Sequence, residues 1–233
     1  FVFVIAFVAW QLWTTKAEIA ASRSAPVGAI AFSLWIIVAG LIAAANIAYS
    51  GLAGIVVSIL VAIAGIYSLV GWGGLLVASR TLWLLVFVVP LPMLLDQALI
   101  VKMQVLASEL ASRLLDGVGV IHFRQGVIIE TPQARFMTEE ACSGIRSLFS
   151  SMAVVAMYGV SKRHREWRIV INLVQTFFWV LIGNSIRVAT VVAFAGDYPS
   201  IATGWGHEVL GIAVFGFILA MVASTDIALA RWI

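Results

Sequence analysis

The chain has 233 residues, 63% of them hydrophobic and only 11% charged, with a mean hydropathy of +1.09. Soluble domains carry about 25% charged residues, so the composition argues against a soluble enzyme and excludes collagen-like, disordered and disulfide-rich secreted chains. The formal net charge of +3 is too small to argue for a nucleic-acid partner, and the single cysteine, Cys142, permits no internal disulfide.

In chain order, seven apolar stretches read as membrane helices: Phe1–Trp13, Val27–Tyr49, Leu52–Trp72, Leu75–Leu95, Cys142–Val160, Ile169–Ala189 and Glu208–Ala228. Backbone groups in hydrocarbon must be satisfied within their own segment, which makes each a helix. The expected fold is an all-α integral membrane helical bundle. Phe1–Trp13 begins within an apolar run and is read as the remainder of a longer span, not as a cleavable signal peptide. Gly71–Gly74 blurs the division between the third and fourth spans, and Pro90 and Pro92 should kink or end the fourth.

The short basic connector Ser161–Arg168 is expected in the cytoplasm. Alternation of the spans then places Lys16, Arg23, Arg80 and Arg231 inside, and Asp96–Ala141 outside. That outer segment holds four basic and six acidic residues, an asymmetry in keeping with this sidedness. Within it, Met93–Leu115 reads as an amphipathic helix, with Ile100, Met103, Leu106, Leu110 and Leu114 at three- and four-residue steps. Such a helix is expected to lie on the outer membrane surface. Gly119–Phe123 and Gly126–Thr131 read as a hairpin around Arg124-Gln125-Gly126, with Ala134–Thr138 as a third strand. Three regions result: N-terminal membrane helices (1–95), an extracytoplasmic helix-plus-hairpin insertion (96–141) and C-terminal membrane helices (142–233).

Polar groups inside spans are costly and mark function. Three sets stand out: Glu139–Ser147 at the outer start of the fifth span, Asn184-Ser185-Ile186-Arg187 near the outer end of the sixth, and Gly204–Glu208 at the outer start of the seventh. They are remote in sequence, yet the topology brings all three to one depth on one face. Cys142 lies where a helix begins, which favours the thiolate. His207 can take the thiol proton and return it to a leaving amine. Arg187 does not deprotonate but can donate to an oxyanion. Asn184 can share or orient that donation, Arg146 adds positive potential near Cys142, and Glu208 adjoins His207. Bland alternatives stand beside these roles: a buried apolar thiol, a snorkelling arginine and an interfacial histidine. The three histidines do not cluster as metal ligands, and no phosphate-binding glycine loop occurs. Neither a metal nor a cofactor is expected.

At these residues the chain resembles the exosortase/archaeosortase family of integral membrane cysteine transpeptidases. The resemblance rests on Ala141-Cys142-Ser143-Gly144-Ile145, on Asn184-Ser185-Ile186-Arg187, and on His207 followed four residues later by Gly211. A looser similarity covers about Pro90 to Gly211. It implies an eight-span protein in the cytoplasmic (inner) membrane, with its active site on the extracytoplasmic face. There it would cleave the C-terminal sorting signal of secreted proteins: a Pro-Glu-Pro-like motif, a hydrophobic span and a basic end. The cleaved protein would pass through a thioester to an unknown acceptor, in systems tied to exopolysaccharide production. By position the resemblance makes Cys142 the nucleophile, Arg187 the transition-state stabiliser and His207 the general acid/base. Membrane lipid is the other expected partner. Two alternatives remain open: a membrane acyltransferase carrying its acyl group on Cys142, and a non-catalytic transporter or scaffold subunit.

Overall fold

A computed structural model of the chain describes residues 2–137, 144–202 and 204–231. The residues divide into two compact units, Phe1–Pro92 with Val160–Arg163, and Met93–Gly159 with His164–Ile233.

The first unit contains helices α1 (Val2–Thr14), α2 (Lys16–Ala21), α3 (Gly28–Ile47) and α4 (Gly51–Leu82), which runs on as a 3₁₀ turn over Trp83–Val88. α3 buries only Val38 and exposes Phe32, Trp35, Ile36 and Ile37. A helix apolar all round with almost nothing covering it is suited to lipid. Ser50 caps α4, its Oγ accepting from the Ala53 N–H at 3.3 Å. α4 breaks at Gly71, whose φ of +67° and ψ of −165° leave the helix. The polar Ser22–Ser24 segment enters the break. The Ser24 N–H donates to the Val70 carbonyl at 3.0 Å, and the Gly73 N–H donates to Ser24 Oγ at 3.0 Å. A Cβ on Gly71 would stand 2.1 Å from the Ser24 carbonyl oxygen, so glycine is required there for both conformation and space.

The second unit is built around α7 (Glu166–Phe194), with α5 (Met93–Gly117) and α9 (Trp205–Ala230) packed along it and α6 (Ile145–Ser161) meeting it at Leu148 and Gly159. The contacts fix the directions. Gly144 meets Asn184 and Gly159 meets Ile169, so α6 is antiparallel to α7. Gly183 meets Val214 and Ile218, while Arg168 meets Asp226, so α9 is antiparallel as well. α5 runs parallel to α7, since Met103 shares a core with Val180, and Ala111 and Leu115 share the next with Val188 and Val192. The small side chains of Ala107, Ser108 and Ala111, all fully buried, line its close approach.

Three expectations are corrected here. Among the described residues, four helices are long and apolar enough to cross a membrane: Gly28–Ile47, Gly51–Val88, Glu166–Phe194 and Trp205–Ala230. Seven spans were expected. The two read as Leu52–Trp72 and Leu75–Leu95 are two helices that meet at Gly71, where the backbone leaves the helical conformation, so the structure breaks within the expected Gly71–Gly74 boundary. Val2–Thr14 and Ile145–Ser161 are apolar but shorter, at 13 and 17 residues.

The second correction concerns α5. It does not lie flat across the end of the bundle but runs lengthwise along α7. Of the stripe expected from periodicity, Ile100 and Met103 are buried while Leu106 and Leu114 are exposed, and the small Ala107 and Ala111 take the covered positions instead. The third concerns the strands, which are β1 (Phe123–Gln125), β2 (Ile128–Glu130) and β3 (Arg135–Met137), antiparallel in the order β1-β2-β3. Gln125 pairs with Ile128, so the turn is Gly126-Val127, with Gly126 at φ +63°. Residues 119–121 therefore precede the first strand. Ile129 points inward, fully buried against Ala111, Leu115 and Val192.

Candidate active site

α7 ends in a turn and the short helix α8 (Pro199–Ala202), after which Gly204, at φ +100°, starts α9. This return brings His207, in the first turn of α9, beside Arg187, two turns from the end of α7. The guanidinium Nη2 donates to Nε2 of His207 at 2.7 Å. Guanidinium nitrogens carry only donors, so Nε2 must accept and the ring is neutral. Its proton is then on Nδ1, which faces the Ile201 carbonyl oxygen at 3.1 Å. The imidazole is thus held at both nitrogens, one by α7 and one by α8.

Glycines shape the surroundings. Gly211, one turn after His207, lies against the guanidinium, and a Cβ there would stand 3.4 Å from Arg187 Nη2. Gly206 lets α8 close on α9, since a Cβ there would be 2.6 Å from the Ser200 carbonyl oxygen. Gly144 has φ +76°, and a Cβ on it would be 3.0 Å from Asn184 Cγ. Asn184 itself is buried and sits one turn before Arg187.

Of the residues singled out from the sequence, the structure brings Arg187 to His207, and Asn184, one turn before Arg187, packs against Gly144. Cys142 lies outside the described residues, two positions before Gly144; so do Glu139, Glu140, Ala141 and Ser143. Arg146 and Glu208 are exposed, and Cys142, near which Arg146 was expected to act, lies outside the described residues. Among the described residues no three His, Cys, Asp or Glu side chains gather as a metal site. His122 serves the α5–β1 junction, between Ser112 Oγ at 2.6 Å and the Val120 carbonyl at 2.9 Å.

A second polar cluster, at the opposite end of α7, escaped the sequence reading. Arg168 grips Asp226 with two parallel bonds, Nε to Oδ1 and Nη2 to Oδ2, each 2.8 Å. Asn172 Nδ2 donates to the same Oδ1 at 2.8 Å. Gln175 Nε2 donates to Asn172 Oδ1 at 2.6 Å, and Thr225 donates to Gln175 Oε1. Arg168 had been counted with the basic connector. The signal that could have found the cluster was Asp226, a lone carboxylate inside an apolar span, which calls for a partner.

In comparison with known proteins, a family model described as transmembrane exosortase (Exosortase_EpsH) matches residues 1–224. No curated protein and no solved structure matches the chain.

Proposed function

The chain belongs to the transmembrane exosortase family, and on that premise we propose that it is a membrane-embedded cysteine transpeptidase. It cleaves the C-terminal sorting signal of secreted proteins at the extracytoplasmic face of the inner membrane and transfers them to an acceptor. The observation that carries this reading is the 2.7 Å contact of Arg187 with His207. It lies at the end of the bundle where Gly144, two residues after Cys142, rests on Asn184.

In the proposed reaction, His207 Nε2 takes the Cys142 thiol proton as Sγ attacks the scissile carbonyl carbon. Protonation removes the acceptor that Arg187 was using and sets two cations side by side. The guanidinium then turns its N–H groups toward the oxyanion forming on the substrate. Proton transfer and oxyanion stabilisation are coupled by this exchange. The C–N bond breaks, the Nε2 proton goes to the leaving amine, and a thioester on Cys142 remains. Neutral His207 next deprotonates the acceptor, which attacks the thioester and releases the thiolate. The substrate's hydrophobic segment packs among the helices while its basic end stays on the cytoplasmic side.

The test is co-expression with a secreted protein bearing such a sorting signal. Cys142→Ala is expected to abolish processing while the protein stays in the membrane; continued processing would remove the reading. Mass analysis of trapped Cys142 is expected to show a polypeptide adduct, and a fatty-acyl adduct would favour the acyltransferase instead.

A further inference from the structure

Arg168 and Arg187 are nineteen residues apart on α7, and His207 and Asp226 are nineteen apart on α9. The two helices are antiparallel, so an Arg–Asp pair at one end matches an Arg–His pair at the other, about 28 Å away at 1.5 Å per residue. We propose that Arg168, Asp226 and Asn172 form a register lock: positioning residues that set the stagger of α7 against α9 at which Arg187 meets His207. Only the activity readout below rests on the peptidase reading.

The middle of the interface is apolar and close-fitting. Gly183 lies against Val214 and Ile218, and Val180 and Ile218 are fully buried beside Phe177 and Leu181. Lipid is as apolar as these side chains, so this stretch contributes shape and packing, to which the polar cluster adds directional bonds. A slip of one turn moves a side chain by about 5.4 Å, far more than a 2.7 Å contact survives. A two-pronged arginine–carboxylate bond, by contrast, has one geometry. Asn172 completes the coordination of Oδ1, and Gln175 and Thr225 carry the bonding on between the helices. Asp226 is only 6% exposed, so a slip would strand a buried carboxylate. Setting a register is the best-attested use of a buried polar group. Replacing a buried ion pair by apolar side chains is often neutral for stability, so the two roles can be separated.

The experiment uses Arg168→Met combined with Asp226→Leu in the full chain. Register is read in a Cys142→Ala background, which has no cysteine. There Arg187→Cys is paired in turn with Gly204→Cys, His207→Cys and Gly211→Cys, and each pair is treated with a short bifunctional thiol reagent. With the lock intact, the pairs 187/207 and 187/211 should form, since both positions face the Arg187 side chain, and 187/204 should not. With the apolar replacement, crosslinking should spread to 187/204, while the protein still inserts and melts no lower. In the background that retains Cys142, processing of a co-expressed sorting-signal protein should fall by on the order of 100-fold, the scale expected of small misplacement. An unchanged crosslinking pattern overturns the lock whatever the enzyme does. Full processing despite a shifted pattern also overturns it. A shifted pattern in a chain whose parent processes no sorting signal leaves the lock standing and defeats the peptidase reading instead.

Discussion

Arg187 donates to Nε2 of His207 at 2.7 Å, and this contact fixes the proton of the ring on Nδ1, against the Ile201 carbonyl. A base whose working nitrogen is occupied by an arginine is exchanged into use rather than simply exposed. In the proposed reaction the proton that engages His207 is also what sends Arg187 to the substrate.

This tautomer is directly measurable. With the histidines labelled by ¹⁵N, His207 should show a protonated Nδ1 and an accepting Nε2 in the resting protein. Arg187→Gln should alter the Nε2 signal and leave that of His122 unchanged, because His122 is held by Ser112 and Val120. A resting signal from protonated Nε2 would contradict the arrangement.

Arg187→Lys keeps the charge but loses the planar fork that spans His207 and the oxyanion. Removal of such a donor typically costs on the order of 3 kcal/mol in the barrier. The processing rate should therefore fall by about 100-fold in the lysine variant. Insertion and the amount of protein in the membrane should match the parent. Processing at the parental rate would show that Arg187 has no part in the reaction.

Gly144→Ala should act twice. At φ +76° an alanine costs about 1–2 kcal/mol in conformation, and its Cβ would press on Asn184 Cγ at 3.0 Å. A lower melting temperature with slower processing is expected. Asn184→Ala should recover part of the processing in the double variant by making room, and no recovery would count against a steric origin.

Gly71→Ala tests the other unit. Its Cβ would sit 2.1 Å from the Ser24 carbonyl oxygen, a contact that only backbone displacement relieves. Loss of accumulated protein from the membrane fraction is expected. Gly65→Ala on the same helix, where nothing lies within 4 Å of the added Cβ, should be tolerated.

The two glycines show where the sequence could be read and where it could not. Gly71 and Gly144 both carry positive φ. The Gly71–Gly74 cluster reads as an ambiguous boundary between spans because glycine signals conformational freedom without naming its use. Its use is the entry of Ser22–Ser24, about fifty residues earlier in the chain. Gly126 was more legible, since a two-residue hairpin turn is a local event, and even there the strand boundaries shifted.

The α5 helix teaches the same lesson at larger scale. Helical spacing marked Ile100, Met103, Leu106, Leu110 and Leu114, but the structure buries Ile100, Met103, Ala107, Ala111 and Leu115 and leaves Leu106 and Leu114 exposed, so past Met103 the covered face is one residue further on. Whether such a stripe faces headgroups or a neighbouring helix depends on which surface is presented to it. Here that surface is α7, some eighty residues further on.

Composition and apolar run length alone determined that this is a helical membrane protein. The reason is that hydrocarbon demands internal satisfaction of every backbone group over about twenty residues. That Arg187 and His207 lie close together was likewise legible, because topology places span ends at a common depth. The tertiary structure alone decided the partner of each polar group: Nε2 of His207 for Arg187, and Asp226 for Arg168. It also decided the stagger at which both pairs close together. Those pairings depend on the relative rotation and register of two helices, which packing and directional bonds between distant residues set together.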